Sequence, residues 1–533
     1  MAVAAPRRRG PAPWLAAAGL VVAGLACLPL AYLVIRAVGA GDEAWDVLLR
    51  GRTLELVLRT ALLVAAVTAA AGAIGVTLAW LVVRTDLPGR RFWAVAGALP
   101  LVIPSYVMAL GLISAAGPGG LLGEVSWLFG FAGAFAALTL ATYPYVYLLC
   151  AAALRRMDPG PEEAARGLGR SSAAVFRSVT LPLLRPSIGG GAVLVALYTL
   201  SDFGVVSLMR YDALTRAIYQ QYRSLFDRTP AALLGLVLVL LTALVLVLEA
   251  RGRGNGRVSR SAAGAARPVE PVSLGGLRAP ALAFCGALVG VALVLPVGVL
   301  AYWVQRSGGT GVEVSDVLSW GGHSLLVSAL AAAVAVAASL PVATLVVRHP
   351  ARWTRSLERL TYAANALPGI VIALALVFFA TRVAEPVYQT LALLVFAYVV
   401  RFLPQALAGT HGALVRVDPQ LEQAARGLGA PPRVVLGRVT VPLVAPGLLA
   451  GATLVFLSTM KELPATLLLR PIGFDTLATE VWGATTVSAY AEAAVPALTL
   501  IVLSAPVVYL LQIRRVGRPT SRADATPRAG VEA

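Results

Sequence analysis

Few side chains in this 533-residue sequence are equipped for covalent or metal chemistry. Three cysteines (Cys27, Cys150, Cys285) and three histidines (His323, His349, His411) are scattered, with no two at the spacing of a metal-ligand pair. No stored metal or haem is expected. The single lysine, Lys461, is followed by Glu462, whereas a Walker-type phosphate loop ends in Gly-Lys-Ser/Thr, so ATP cannot be hydrolysed here by that route. What remains is a short polar phrase written twice. EEAARGLG (Glu162 to Gly169) returns as EQAARGLG (Glu422 to Gly429), 260 residues later (422 − 162).

Each copy spells a short helix. Asp158-Pro159 and Asp418-Pro419 suit a helix start, because the carboxylate can cap exposed N–H groups and proline fits the first turn. Glu162, Glu163 and Glu422, with Gln423 as the fourth member, fall at the positive end of the helix dipole. Ala164-Ala165 and Ala424-Ala425 leave a smooth surface that another protein can approach closely. Gly169 and Gly429 are placed to take the left-handed conformation that stops the helix. A second piece starts at Ser171 or Pro431 and runs through Leu181-Pro182 or Val441-Pro442, where Pro182 and Pro442 are hinges into the next apolar segment. One such peg would pass for an ordinary interfacial helix. Two in register, each with its own hinges, favour docking into grooves on a partner.

The elements that must position these pegs are membrane spans. Hydrophobic residues make up 58% of the chain and charged residues 13%, with a mean hydropathy of +0.80, outside the range of soluble domains. Stretches such as Ala231 to Ala250 run long enough to cross about 30 Å of hydrocarbon as helix. A β-barrel would alternate at period two, and no such alternation appears. About twelve spans are expected, beginning near Trp14, Leu54, Phe92, Leu128, Leu181, Ala231, Leu277, Ser324, Ala363, Thr390, Val441 and Ala491. The fold class is therefore all-α and transmembrane. With both termini placed in the cytoplasm, the inner segments hold most of the 44 Lys and Arg residues. The net charge of +18 then reports topology and contact with phospholipid, and no nucleic-acid partner is expected. The basic N-terminus and Cys27 invite signal-peptide or lipoprotein readings. The long apolar run without a clear cleavage pattern favours an uncleaved first span.

The polar phrase is the centre of a larger repeat. At the same offset of 260, Leu181-Pro182 answers Val441-Pro442 and Asp202 answers Glu462. Upstream, LVVR (Leu81 to Arg84) recurs at Leu345 to Arg348 and ALP (Ala98 to Pro100) at Ala366 to Pro368, offsets of 264 and 268. A small insertion in the first half is implied, and the loop GPGGLLG (Gly117 to Gly123) is where it is expected. The division is residues 1–250 as a first six-span half, 251–276 as a cytoplasmic linker rich in Gly, Ser, Arg and Pro, 277–514 as a second half, and 515–533 as a cytoplasmic tail. An even number of spans per half gives both copies the same orientation, with a pathway between them.

Each copy of the phrase resembles the signature of permease subunits of bacterial binding-protein-dependent ABC importers. That signature is Glu-Ala-Ala, three residues, Gly, nine residues, an aliphatic residue, one residue, then Leu-Pro. Here it reads Glu163-Ala164-Ala165, Gly169, Val179, Leu181-Pro182, and again Gln423-Ala424-Ala425, Gly429, Val439, Val441-Pro442. Gln423 departs from the usual Glu and Val441 from the usual Leu, so the two pegs should dock unequally if that Glu sets affinity. The resemblance covers nearly the whole chain. It implies two tandem six-span repeats of the type I importer permease (MetI-like) fold in the bacterial inner membrane. It also implies two copies of a separate ATPase that uses ATP and Mg at the cytoplasmic face, a soluble or lipid-anchored binding protein outside, and no cofactor or catalytic residue on this chain.

The fifth span of each half is followed by a charged piece, SDFGVVSLMR (Ser201 to Arg210) and KELPATLLLRP (Lys461 to Pro471), within or near the outer half of the bilayer. Ionisable groups at that depth need partners or water. Arg401, deeper still and followed by Pro404, is expected to pair with Glu462 or Asp202. Asp202, Arg401, Lys461 and Glu462 are thus candidates for a pathway or gate, and Tyr219, Tyr222 and Trp482 for an outer gate or a docking surface. The two charged pieces resemble the ferric-iron branch of the importer superfamily, with thiamine and polyamine permeases as relatives. An ion-gradient-driven secondary transporter is the rival of another class, because Asp202 and Glu462 could bind a coupling ion. Such a protein has no use for two cytoplasmic pegs. A scaffold role stands behind both.

Overall fold

The computed structural model describes residues 10–223, 229–252, 271–306, 311–363 and 367–508. Among these residues nine helices are long and apolar enough to cross a membrane: Pro13–Val38, Gly51–Arg84, Phe131–Arg156, Ser172–Ser201, Thr229–Arg251, Gly275–Gln305, Val314–Arg348, Leu391–Leu414 and Gly437–Met460. A pair bent by 96°, Arg90–Val102 with Ser105–Ala116, supplies the third span, and shorter apolar helices at Gly369–Val383 and Tyr490–Pro506 supply the ninth and twelfth. Numbered in chain order, these are spans one to twelve.

Two spans differ from a plain reading of hydropathy. Span three is broken because Pro100 and Pro104 fall within six residues of one another and neither can donate to a helical ladder; Pro104 instead stands at the N-cap of the outer half-helix. Span nine starts at Gly369, later than the expected Ala363, because residues Arg352–Ala363 form a separate helix and Pro368 caps the next one. The structure also shifts the register of the repeat here. Pro104 and Pro368 hold the same N-cap position, an offset of 264 (368 − 104) that matches the LVVR pair, so the two ALP triplets are not equivalent. Of the expected linker, residues 253–270 lie outside the described residues, and so does the tail 515–533.

Spans two, four and five pack together in the first half, and spans eight, ten and eleven do so in the second. Small residues set these crossings: a Cβ at Gly75 would stand 2.8 Å from the backbone nitrogen of Tyr147, and one at Gly447 would overlap the Ala413 methyl. The first span of each half leans on the other half, span one on spans eight and nine, span seven on span three. The two halves therefore share one continuous core.

Immediately before Leu181-Pro182 the helix widens into a π turn, Phe176–Thr180, in which the Leu181 N–H reaches back to the Phe176 carbonyl. Leu436–Thr440 repeats it before Val441-Pro442. Proline removes a ladder donor and crowds the carbonyl one turn back, and an extra residue in that turn relieves both. The same solution appears a third time at Gly290–Val294, before Leu295-Pro296.

Candidate coupling joints and pathway

The two pegs are the helices Gly160–Gly167 and Pro419–Gly427. Asp158 accepts the Gly160 N–H at 3.0 Å and Asp418 accepts that of Gln420 at 2.9 Å. Gly169 and Gly429 end the pegs at φ +81° and +85°, the left-handed region that their lack of a Cβ permits.

Adjacent residues on a helix lie about 100° apart, so the acidic and alanine pairs cannot each share one face. Glu162, Ala165 and Glu422 turn inward, while Glu163, Ala164, Gln423 and Ala424 face outward; Ala425 is half-buried. The smooth outer surface thus comes from one alanine of each pair. Beside it the pegs present Leu168 and Leu428, 83% and 90% exposed. Sequence reasoning passed over these leucines, although an apolar side chain before each helix-stopping glycine was visible.

The inward glutamates anchor the pegs to the membrane domain. In the first half Glu162 accepts the Thr180 hydroxyl at 2.7 Å, and its other oxygen lies 3.5 Å from Arg84 Nε and 3.6 Å from Arg166. In the second half Glu422 accepts Arg348 at 2.9 Å and the Thr440 hydroxyl at 3.1 Å, with Arg426 at 3.7 Å. Arg348 also donates to the Val417 carbonyl at 3.2 Å. Each arginine is the last residue of span two or span eight. The LVVR pair, noticed only as a mark of repetition, therefore supplies the cation of each joint, buried at Arg84 and half-buried at Arg348.

The pathway candidates meet near the middle of the molecule. Ser105–Ala116 is 12 residues long, about 18 Å of helix, which sets its inner end roughly half-way through the hydrocarbon. There Asp202 accepts the Ser105 hydroxyl at 2.5 Å and caps Val205 at 2.8 Å. At the equivalent place in the second half Glu462 caps Ala465 at 3.2 Å and accepts Arg401 at 2.9 Å. Arg401 fits because residue 369 is glycine: a Cβ there would overlap its Nη1 and stand 2.6 Å from Glu462 Oε1. The Arg401 guanidinium thus meets Glu462, one of the two partners expected for it. Lys461 reaches across to the other half, donating to the Leu101 carbonyl at 2.6 Å, in the break of span three.

Next to Asp202, Phe203 of the first half makes tilted ring contacts with Tyr219 and Trp482, at centroid distances of 4.7 and 4.9 Å, and those two rings meet each other edge-on at 6.5 Å. Trp482 belongs to the second half, so the cluster spans the join between the halves. Tyr222, like Tyr219 and Trp482, is partly buried against the main core. Among the described residues no group of three or more His, Cys, Asp or Glu is placed to hold a metal ion.

Residues 71–251 and 329–517 each match the family described as binding-protein-dependent transport system inner membrane component. The chain belongs to this family. An Fe(3+)-transport system permease protein of Haemophilus influenzae is 35% identical to this permease, over 95% of this chain and 99% of its own. A probable ABC transporter permease of Sinorhizobium fredii is 26% identical over 85% of each chain. A ferric transport system permease protein of Actinobacillus pleuropneumoniae is 23% identical over 72% of this chain and 59% of its own. The permease is thus a membrane-embedded transport component of the ABC importer class, whose partners are an ATPase and a substrate-binding protein.

Proposed function

We propose that this permease moves ferric iron from a binding protein outside the membrane to the cytoplasm, driven by two copies of an ATPase docked on its two pegs. Both termini face the cytoplasm in this scheme. Residues 1–250 and 277–514 act as the two halves, joined by 251–276, and residues 515–533 form a tail. ATP and Mg are used on the ATPase, and this chain contributes no catalytic group or cofactor.

The observation that carries the coupling role is the duplicated joint. Each peg is capped, stopped by a left-handed glycine, tied through a buried Glu to the end of a long span, and crowned by an exposed leucine that a groove would bury. When the ATPases close, a peg moving as a rigid piece pulls on span two or span eight through Arg84 or Arg348. Spans five and eleven yield at the π turns before Pro182 and Pro442. In the closed arrangement the carboxylates Asp202 and Glu462 are neutralised or hydrogen-bonded by Ser105 and Arg401, and Phe203, Tyr219 and Trp482 cover them from outside. The overall identity to an Fe(3+)-transport permease favours ferric iron among cargoes. Thiamine or polyamine is the second reading.

The test is reconstitution with the ATPase and binding protein, measuring uptake of labelled ferric iron. ATP-dependent iron uptake is expected. Uptake of labelled thiamine or spermidine in its place would move the cargo assignment, and transport by the chain alone without ATP would return the protein to the gradient-driven class. The ATPase should stay bound to the wild-type chain and leave when Gly169 and Gly429 are replaced by bulky residues.

A further inference from the structure

The two joints differ in what holds the end of the span behind them. In the first half the backbone beyond Arg84 does not run free. The Val272 N–H donates to the Arg84 carbonyl at 2.8 Å and the Asp86 N–H donates to the Val272 carbonyl at 3.1 Å, a one-residue parallel bridge between Thr85 and Val272. Asp86 completes the grip. One carboxylate oxygen accepts the Leu274 N–H at 2.9 Å and the other accepts Arg278 at 2.5 Å. Arg278 pulls its carboxyl below the ordinary carboxylate range, and the Leu274 N–H adds to this, so the grip is ionised under cytoplasmic conditions.

The second half cannot build the same grip. At the offset of 264, Thr85 and Asp86 correspond to His349 and Pro350 (349 − 85; 350 − 86), and proline offers neither the N–H nor the carboxylate. The asymmetry is therefore written into the chain.

We infer that Asp86 and the stretch Val272 to Arg278 form a clasp that ties the first coupling joint to span seven, and that these are positioning residues for the coupling of ATP hydrolysis to transport. The chain of contacts is continuous. The first peg holds Arg84 through Glu162, Arg84 and Asp86 hold Val272, Leu274 and Arg278, and Arg278 opens the helix of span seven. Span seven in turn lies on span three, where Trp303 Nε1 donates to the Ser114 carbonyl at 3.2 Å and Gly111 sits against Pro296. A stroke of the first peg thus reaches the outer half of the pathway through span two and span seven, whereas among the described residues the end of span eight carries no comparable backbone bridge. The clasp, rather than the length of the linker before it, is what carries this load.

The inference rests on the coupling role proposed above for the pegs and is tested in the full complex. Stimulation of ATP hydrolysis by the binding protein reads coupling whatever the cargo, so a wrong cargo leaves the test standing. With Asp86→Ala the ratio of stimulated to basal hydrolysis should fall at least about fivefold, the low end of an allosteric coupling, while the ATPase stays bound and the chain elutes as wild type. Adding Thr85→Cys and Val272→Cys, with Cys27, Cys150 and Cys285 replaced by Ser, allows a disulfide across the bridge. Oxidation should restore the ratio and reduction should abolish it again, a reversal that misfolding would not show. Cutting the wild-type chain at a protease site placed between residues 253 and 270 should leave the ratio unchanged. An unchanged ratio in Asp86→Ala, no recovery on oxidation, or a loss on cutting equal to that of Asp86→Ala would each overturn the clasp. Loss of stimulation in the wild type itself would instead count against the importer reading.

Discussion

The two halves of this permease solve the same problems with different partners. At the second joint Arg348 makes two charge-assisted bonds, to Glu422 and to the Val417 carbonyl. At the first, Arg84 is 3% exposed, faces Glu162 at 3.5 Å, and leaves Nε and Nη2 buried without a hydrogen bond, where Arg348 leaves Nε alone. At the centre the order of polarity repeats: Glu462 holds a cation, while Asp202 holds a serine hydroxyl and backbone amides. The second half is held by direct Arg–Glu bonds at both joint and centre, and the first by a longer Arg84–Glu162 contact, hydroxyl and backbone bonds to its carboxylates, and the Asp86 clasp. Buried ion pairs resist separation strongly once formed, whereas an under-bonded guanidinium has little to lose by moving. The difference assigns a stiff lever to the second peg and a yielding one, backed by the clasp, to the first.

The largest expected effect tests the centre. Gly369→Ala must separate Arg401 from Glu462, and breaking a buried pair costs about 3–5 kcal/mol; Ser105→Ala removes one hydroxyl bond to a carboxylate, about 1.5–3 kcal/mol. Thermal inactivation of the detergent-solubilised chain should show the larger fall for Gly369→Ala. Equal falls would remove the distinction. For the Arg401–Glu462 pair itself, a charge-swapped double variant should recover part of what either single swap loses, measured the same way; a double variant no better than the singles would mean that the pair is not a unit.

The joints come next. Arg348→Met removes two charge-assisted bonds, together about 3–6 kcal/mol, while Arg84→Met removes one longer ion-pair contact from a Glu162 that keeps Thr180 and Arg166, and should cost about 1.5–3 kcal/mol. Hydrogen exchange of the peg amides should accelerate far more at Pro419–Gly427 in the first variant than at Gly160–Gly167 in the second. The reverse order would break the comparison. Smaller still, and equal in both halves, are Gly169→Ala and Gly429→Ala, each forcing a side chain into the left-handed region at about 1–2 kcal/mol; unequal retention of the ATPase by these two would locate an asymmetry in the partner contact, where one peg presents Glu163 and the other Gln423.

The smallest effect is a pH dependence confined to one side. Burial, and then the charge of Arg426, hold His349 below its ordinary value. Its neutral form is favoured in place, so the second joint loosens as pH falls below about 6.5, where a released histidine takes up a proton and the packed one resists. Thr85, its counterpart, does not titrate. Asp86 contributes above the ordinary carboxylate value and is lost only as pH falls through its lowered one, so the clasp is unchanged over the range that affects His349. Retention of the ATPase between pH 7.5 and 5.5, about one unit either side of the ordinary histidine value, should decline in the wild type and flatten in His349→Thr.

Much of this is legible in the sequence because its signals are local. Asp-Pro starts, left-handed glycine stops and apolar runs act over a few residues, and the repeat doubled each signal. The breaks at Pro100 and Pro104 were also local but hidden, since hydropathy averages over a whole span and does not register two missing donors. The Arg84 and Arg348 anchors escaped for another reason: they lie 78 and 74 residues from their glutamates (162 − 84; 422 − 348), and only packing of span two on spans four and five, and of span eight on spans ten and eleven, brings them together.

The sequence by itself determined that this chain lives in a membrane, that it is one six-span plan used twice, and that each copy carries a capped and stopped peg. Hydrophobicity, backbone propensity and repetition are properties of neighbouring residues and need no fold to be read. Only the tertiary structure decided which glutamate of each phrase turns inward, that Arg401 takes Glu462 through the space left by Gly369, that Lys461 crosses to the other half, and that Asp86 grips the start of span seven. Those outcomes depend on through-space pairing in a low-dielectric interior, where a charge must find a partner and many partners are compatible with the sequence until the helices pack.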